Sequence, residues 1–212
     1  MSDTKQRLLD GAMATLRDHG IAGASARTIA AAAGVNQALV FYHYGSVEDL
    51  LVAACRAGTE VRVGAYRERL ASVTSLRGLL DVGRALHTEE RDLGNVAVLA
   101  QLLAGAQGGG KLTESTAQAL DLWTVEIEHV LRRVLTGSPI AEIADVPGLA
   151  RAVSAAFIGL ELYEGVDPDG AQRAMAALEQ LAVLVEMVDE LGPVARRALR
   201  SRVTKKAAAR RS

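Results

Sequence analysis

Three observations on the 212-residue sequence predict an all-α fold. Apolar residues recur at spacings of three and four, as in Leu9, Ala12 and Leu16, in Leu50, Ala54 and Cys55, and in Leu120, Trp123, Ile127, Leu131 and Val134. That period lines one side of a helix. Convincing alternation with period two, the mark of a half-buried strand, is absent. Capping residues precede the periodic segments and glycines follow them, so that about nine helices are expected, short ones first and longer ones after.

The elements follow in order. The first helix spans residues 4–19 and stops at Gly20, a residue suited to the left-handed backbone of a helix end. Ser25 caps ARTIAAAA, which ends at Gly34, and Asn36 caps QALVFYH, which runs into Gly45. Ser46 followed by Asp49 resembles a capping box, with Asp in place of Glu, and opens a long helix toward Leu70. Further helices are expected near 75–90, 93–107, 114–136, 148–165 and 169–191. Thr113 is the expected cap of the third of these, and Pro147 and Pro168 take first-turn positions. Gly192 and Pro193 stop the last. The expected domains are a small helical one over 1–46, a larger helical one over 47–192, and a basic tail over 193–212 that reads as disordered or a frayed helix.

Composition narrows the class. Half of the chain is apolar, enough for a sizeable core. Its one cysteine, Cys55, excludes a disulfide framework or a thiolate metal cage within one chain, which suits a reducing compartment. The opening residues mix charge with apolar side chains rather than forming a secretory leader, and no run of 18 apolar residues occurs. A cytoplasmic protein without a membrane role is expected. Residues 1–50 carry four Lys/Arg and five Asp/Glu, residues 193–212 carry eight Lys/Arg and no acid, and the stretch between holds 12 Lys/Arg against 20 Asp/Glu. An acidic body ending in a basic tail fits either a nucleic-acid contact or a solvated tail.

Enzyme chemistry lacks a constellation. GAQGGGKL at 105–112 contains GxxxxGK, but Leu112 stands where Ser or Thr is needed for Mg²⁺ and a helix, not a strand, precedes it. The histidines at 19, 43, 87 and 129 have no metal-ligand spacing, and Cys55 has no near partner, so no metal, no cofactor and no catalytic residue is expected. Glu161 and Glu164 read as a solvated face.

The aromatic residues are concentrated. Three of the seven Phe, Tyr and Trp stand at 41, 42 and 44, with His43 among them. The two short helices joined through Gly34, Val35 and Asn36 have helix-turn-helix spacing. Val40 and Tyr44 can face the core with Leu50 behind them, which points Gln37, Phe41 and one side of Tyr42 and His43 outward. Such rings pack on sugar and phosphate while Gln and His bond base edges; the alternative buries Phe41, Tyr42 and Tyr44 in the core.

Residues 7–51 resemble the N-terminal domain of TetR-type transcriptional regulators. LLDGA, the glycine at 20, Ser25, IAAAAGV, the aromatic cluster and S-x-E-D-L occur in order and without gaps. The resemblance implies phosphate contacts from Arg27 and Thr28, base-facing positions at Gln37, Ala38 and Leu39, and Phe41, Tyr42 and His43 toward backbone and base. Phe41 stands where a tyrosine is usual and Val47 where a lysine is usual, so two phosphate contacts are missing. Lys5, Arg7 and the tail are candidates to make up for them.

Beyond residue 51 the likeness is one of architecture. The last two long helices carry apolar residues over more than one stripe, and a second apolar face needs a partner. Val153, Phe157, Leu160, Leu178, Leu181, Val185 and Val188 are the expected homodimer contacts, matching the family's four-helix pairing. Gln101, Gln107, Trp123, His129, Phe157, Glu161 and Tyr163 are the expected lining of a pocket for a small, lipophilic effector. The resemblance implies a ligand-responsive repressor acting as a homodimer on an inverted repeat in double-stranded DNA. The alternatives are a helical small-molecule enzyme or a binding protein without a DNA role.

Overall fold

The structure, a computed structural model, describes residues 3–142, 144–189, 192, 194, 195 and 201. Among these, nine α-helices and one 3₁₀ turn occur and no strand does: α1 Asp3–Gly23, α2 Ala26–Ala33, α3 Ala38–Tyr44, α4 Val47–Ala71, α5 Leu76–Asp92, α6 Asn95–Ala106, α7 Lys111–Val134, the 3₁₀ turn Pro139–Glu142, α8 Val146–Glu164 and α9 Pro168–Asp189. The all-α expectation holds, and each expected helix is present. The 3₁₀ turn was not expected. Most of the basic tail, and Pro193, lie outside the described residues.

Local chemistry accounts for the helix ends. Gly20 interrupts α1 with φ 69° and ψ −179°, and the chain makes one more turn to Gly23. Ser25 Oγ accepts the Thr28 N–H at 3.2 Å while Thr28 Oγ1 accepts the Ser25 N–H at 2.9 Å, a capping box completed by threonine. Gly34 closes α2 in the left-handed region at φ 64°. Asn36 Oδ1 accepts the Ala38 N–H at 2.9 Å, and Ser46 Oγ accepts the Asp49 N–H at 3.0 Å. Thr113 is a correction: α7 has already begun at Lys111, and the threonine hydroxyl donates back to the Ala106 carbonyl. At α8 and α9 the acids do the capping: Asp145 accepts the Gly148 N–H at 3.2 Å and Asp167 the Gly170 N–H at 2.9 Å.

The described chain divides into two compact units, one of residues up to 66 with 87–123, the other of 67–86 with residues from 124 onward. The core of the first joins α1 and α2 to α3, the start of α4 and α6. Leu8, Leu16, Ile29, Val40 and Leu50 are fully buried there, each contributing about 2 kcal/mol by leaving water. Leu51, Ala54, Cys55 and Val98 belong to the same cluster, so it draws on residues on both sides of position 46. Its closest approach is at Gly11, where a Cβ would fall 2.8 Å from both Ala33 Cβ and Ala33 N.

In the second unit, Val130, Leu131 and Leu135 of α7 and its end are buried, as are Leu79, Val146, Ala150, Ala171 and Ala182. Arg133 donates to the carbonyls of Val73 at 3.0 Å and Leu70 at 2.7 Å, fixing the turn between α4 and α5. Phe157 lies over Gly83, where a Cβ would meet its ring at 3.4 Å. α8 is long and apolar enough, by length and composition, to cross a membrane, and it is the one such helix among the described residues. Arg151 and Glu161 interrupt its apolar run.

Candidate nucleic-acid interface

The turn between α2 and α3 is held from behind. Val35 N–H donates to the Ala30 carbonyl at 3.0 Å. From α1, one Arg7 Nη donates to the carbonyls of Ala33 at 2.8 Å and Gly34 at 2.6 Å, a cation placed on the C-terminal end of a helix where the aligned dipoles favour it. Arg7 therefore braces the turn, a different role from the duplex contact expected of it. A side chain at Gly34 would meet the same guanidinium at 2.8 Å.

α3 then separates its faces. Val40 is fully buried, and Tyr44 is half-buried with its hydroxyl donating to the Lys5 carbonyl at 3.0 Å. Burial raises the Tyr44 phenol above its ordinary pKa. Phe41 is 53% and Tyr42 80% exposed. Gln37 and Ala38 are exposed, Leu39 and His43 partly so. Tyr42 and His43 meet edge to face with centroids 4.9 Å apart. The reading in which all three rings are core is thereby excluded: only Tyr44 turns inward. Arg27 is exposed near the start of α2, whereas Thr28 is partly buried and its hydroxyl already donates to the Gly23 carbonyl at 2.9 Å. The exposed residues Arg27, Gln37, Ala38, Phe41 and Tyr42 offer rings and hydrogen-bonding groups and a single charge.

The seven expected pocket residues are shared between the two units. Gln101, Gln107 and Trp123 fall in the first unit, and His129, Phe157, Glu161 and Tyr163 in the second. Gln101 accepts the Ile21 N–H at 2.9 Å. Gln107 is exposed and bonds its own helix at Leu103. Trp123 lies against Tyr66 with centroids 6.0 Å apart. His129 is exposed beside Glu126, and Tyr163 is exposed with its hydroxyl 3.3 Å from Asp167. Phe157 is half-buried and Glu161 buried.

A polar cluster that sequence reasoning missed lies where α4, α5 and α6 meet. Arg62 Nε is 3.2 Å from Glu90 Oε2, Asn95 Nδ2 donates to the same oxygen at 3.0 Å, and Tyr66 donates to Glu89. Asn95 Oδ1 is buried and has no hydrogen-bond donor. Pairs so far apart along the chain leave no local pattern to find them by. Nearby Cys55 is a buried thiol that burial pushes up to about 11, against the pull of Arg62.

The expected dimer contacts differ in exposure. Val153, Phe157, Leu160, Leu178 and Val185 are half-buried, and Leu181 is 57% exposed; the Val188 side chain lies outside the described set. Leu149, Leu162 and Tyr163 of α8 and Val183, Leu184 and Met187 of α9 are exposed as well.

A helix-turn-helix braced behind and ring-bearing in front defines a DNA-binding regulator of transcription. Comparison with known proteins takes this further. The family model for bacterial regulatory proteins of the tetR family matches residues 8–54. An uncharacterised HTH-type transcriptional regulator of Mycobacterium tuberculosis is 25% identical over 166 residues, 78% of this chain and 85% of that protein. The HTH-type transcriptional repressor AcnR of Corynebacterium glutamicum is 31% identical over 85 residues, 40% of this chain and 41% of that one. Among solved structures, a TetR-family regulator from Rhodococcus sp. superposes with a TM-score of 0.70 at 22% identity, covering 86% of this chain and 99% of that one. A regulator from Saccharomonospora viridis in complex with choline gives 0.68 at 20% identity over 85% and 95%. Residues 8–54 thus match the DNA-binding domain of tetR-family regulators, and the chain is similar to transcriptional regulators over most of its length.

Proposed function

We propose that this chain is a cytoplasmic, ligand-responsive repressor that binds an inverted-repeat operator in double-stranded DNA as a homodimer. The observation that carries the reading is the division of α3, whose fully buried Val40 leaves Phe41 and Tyr42 exposed on a seven-residue helix. Gln37 then stands among the residues offered to base edges, with Arg27, Phe41 and Tyr42 toward sugar and phosphate. One such helix reads few bases. A twin related by a twofold axis, about 34 Å away, reaches the next major groove and doubles the site.

Support for the twin comes from α8 and α9. Leu149, Ala152, Ala156, Gly159 and Tyr163 repeat at three and four residues on the exposed side of α8, and Leu181 and Leu184 are exposed on α9. Aliphatic faces of that length are covered by another apolar surface in a stable protein. The effector reading is supported by the choline complex of the Saccharomonospora neighbour and by the imidazole complex of the multidrug-binding protein EbrR, 26% identical. Within this chain the buried acceptor of Asn95, beside Glu90 and Arg62, supports a ligand that donates a hydrogen bond. A ligand shifts operator occupancy only as far as its affinities for the two conformations differ.

The test is selection of duplexes from a random library by the purified full-length protein, followed by footprinting of the enriched sequence. Enrichment of a palindrome, lost when Gln37 and His43 are both replaced by alanine in a protein that still folds, is the expected outcome. Enrichment of no sequence at low salt would overturn the reading.

A further inference from the structure

α7 opens with a lysine, and a cation at a helix N-terminus is opposed by the aligned peptide dipoles. What holds Lys111 there is on another helix. Its Nζ lies 2.7 Å from Oδ1 of Asp49, in the first turn of α4. The other oxygen of Asp49 accepts from Ser46 Oγ at 2.6 Å. Gly109 and Gly110, at φ 82° and 84°, let the chain turn sharply enough to bring Lys111 to this place. The run GGGK, which fails as a nucleotide loop, thus has a conformational use. Each partner reinforces the other's charge: the Lys111 hydrogen bond holds the Asp49 carboxyl below its ordinary range, and Asp49 raises the lysine.

The same α6–α7 corner makes a second tie. Gln101 Oε1 accepts the Ile21 N–H, just past the break in α1 at Gly20, and a Cβ at Gly20 would fall 2.6 Å from that oxygen. Only glycine allows the glutamine this close. Ile21 precedes α2 and Asp49 follows α3, so the two ties bracket the helix-turn-helix at both ends.

We propose that Lys111 and Gln101 are positioning residues for DNA binding: the α6–α7 corner clamps the helix-turn-helix, Lys111 acting through Asp49 and Gln101 through Ile21. The inference rests on the operator-binding reading above and adds to it the side chains that hold the reading head in place. Neither residue touches DNA in this scheme. Loosening the clamp lowers the fraction of protein in the binding-competent arrangement, and apparent affinity falls by the same factor.

The discriminating variant is Asp49→Asn. Removing an acid from a DNA-binding domain tightens binding if long-range charge is all that matters, whereas loss of the clamp weakens it. The probe is the duplex selected by the wild-type protein, with an unselected duplex of equal length as reference. Asp49→Asn and Lys111→Gln should each lower affinity for the selected duplex by about three- to tenfold. The double variant should be no weaker than the worse single, because both remove one contact. Gln101→Leu should weaken binding and Gln101→Glu, which keeps the acceptor, should restore it. Thermal midpoints should stay within about 2 °C of wild type for the Asp49 and Lys111 variants, an exposed pair adding little to global stability. Unchanged or tighter binding by Asp49→Asn, or additive losses in the double variant, would overturn the clamp while leaving operator binding intact. Failure of the wild type to select any duplex would overturn both.

Discussion

The third helix and the C-terminal helix pair both expose apolar side chains, and they do so in different chemical forms. On α3 the exposed groups are Phe41 and Tyr42, rings on a short helix whose opposite side is anchored by Val40. On α8 and α9 they are chiefly Leu149, Leu162, Leu181, Leu184 and Met187, aliphatic groups strung along helices of 19 and 22 residues. A ring with a hydroxyl or a polarisable edge tolerates water and suits a polar, charged partner such as a duplex. An aliphatic row gains only by leaving water, so its fitting partner is another such row. Two exposed apolar regions in one chain therefore point to two different kinds of partner.

The strongest way to break this contrast is to remove what anchors the first region. Gly11→Ala places a methyl group 2.8 Å from Ala33 N and 2.9 Å from the Ile29 carbonyl, backbone atoms that cannot rotate away. α1 and α2 must then separate, at a cost of about 3 kcal/mol. Thermal unfolding should show that loss, and DNA binding should go with it. A variant as stable as the wild type would mean that the α1–α2 contact is looser than described.

Next in size is the second region. Leu181→Asp combined with Leu184→Asp would put four charges into the proposed twofold interface and should raise the dimer dissociation constant by at least about a hundredfold, since each buried unpaired charge costs several kcal/mol. Sedimentation velocity reads the result. If the doubly substituted protein stays dimeric at micromolar concentration, or the wild type is already a monomer there, the aliphatic rows of α8 and α9 have another use.

A smaller effect sharpens the comparison by asking whether the two regions fail independently. Cys55 sits in the core shared by α1, α2 and α4, and burial raises its thiol from 9.0 to about 11. A raised thiol pKa disfavours the thiolate, so at pH 8 the reactive fraction is about a hundredfold below that of an ordinary cysteine, and burial blocks access besides. Native protein should resist iodoacetamide at pH 8 and react once unfolded, with labelling rising only as the pH approaches 11. The Leu181/Leu184 variant should stay as resistant as the wild type. Fast labelling of that variant would show that the proposed dimer face supports the N-terminal core.

How much of this could be read in advance follows the range of the interactions. Ser25, Gly34 and Ser46 act within four residues of themselves, and each stands at the helix end expected of it; Asn36 accepts from the first residue of α3, but Gln37 takes the cap position expected for it. Val40 and Tyr44 turned inward as the helical period requires. Long-range partners left no such trace. Nothing near Arg7 says that it will reach the carbonyls of residues 33 and 34, and nothing near Lys111 indicates Asp49, 62 positions away. Thr113 was the expected cap, yet the helix begins two residues earlier with a lysine held from outside. The seven pocket candidates rest on residue type and on a place among the helices from 75 to 165, and neither says which helices face one another.

The smallest expected effect carries the opposite sign. Phe41 is 53% exposed on the outward side of α3, at a position where the family resemblance implies a tyrosine. If that ring lies along the sugar–phosphate backbone, Phe41→Tyr adds a hydroxyl where a phosphate oxygen can accept from it. A hydrogen bond to a charged acceptor adds roughly 1–2 kcal/mol, less what the hydroxyl gives up in water, so affinity should rise about three- to tenfold. The gain should be the same for selected and unselected duplexes, because phosphate is common to both. Equal affinity for both proteins would place the ring away from the backbone. A gain confined to the selected duplex would make position 41 a reader of bases.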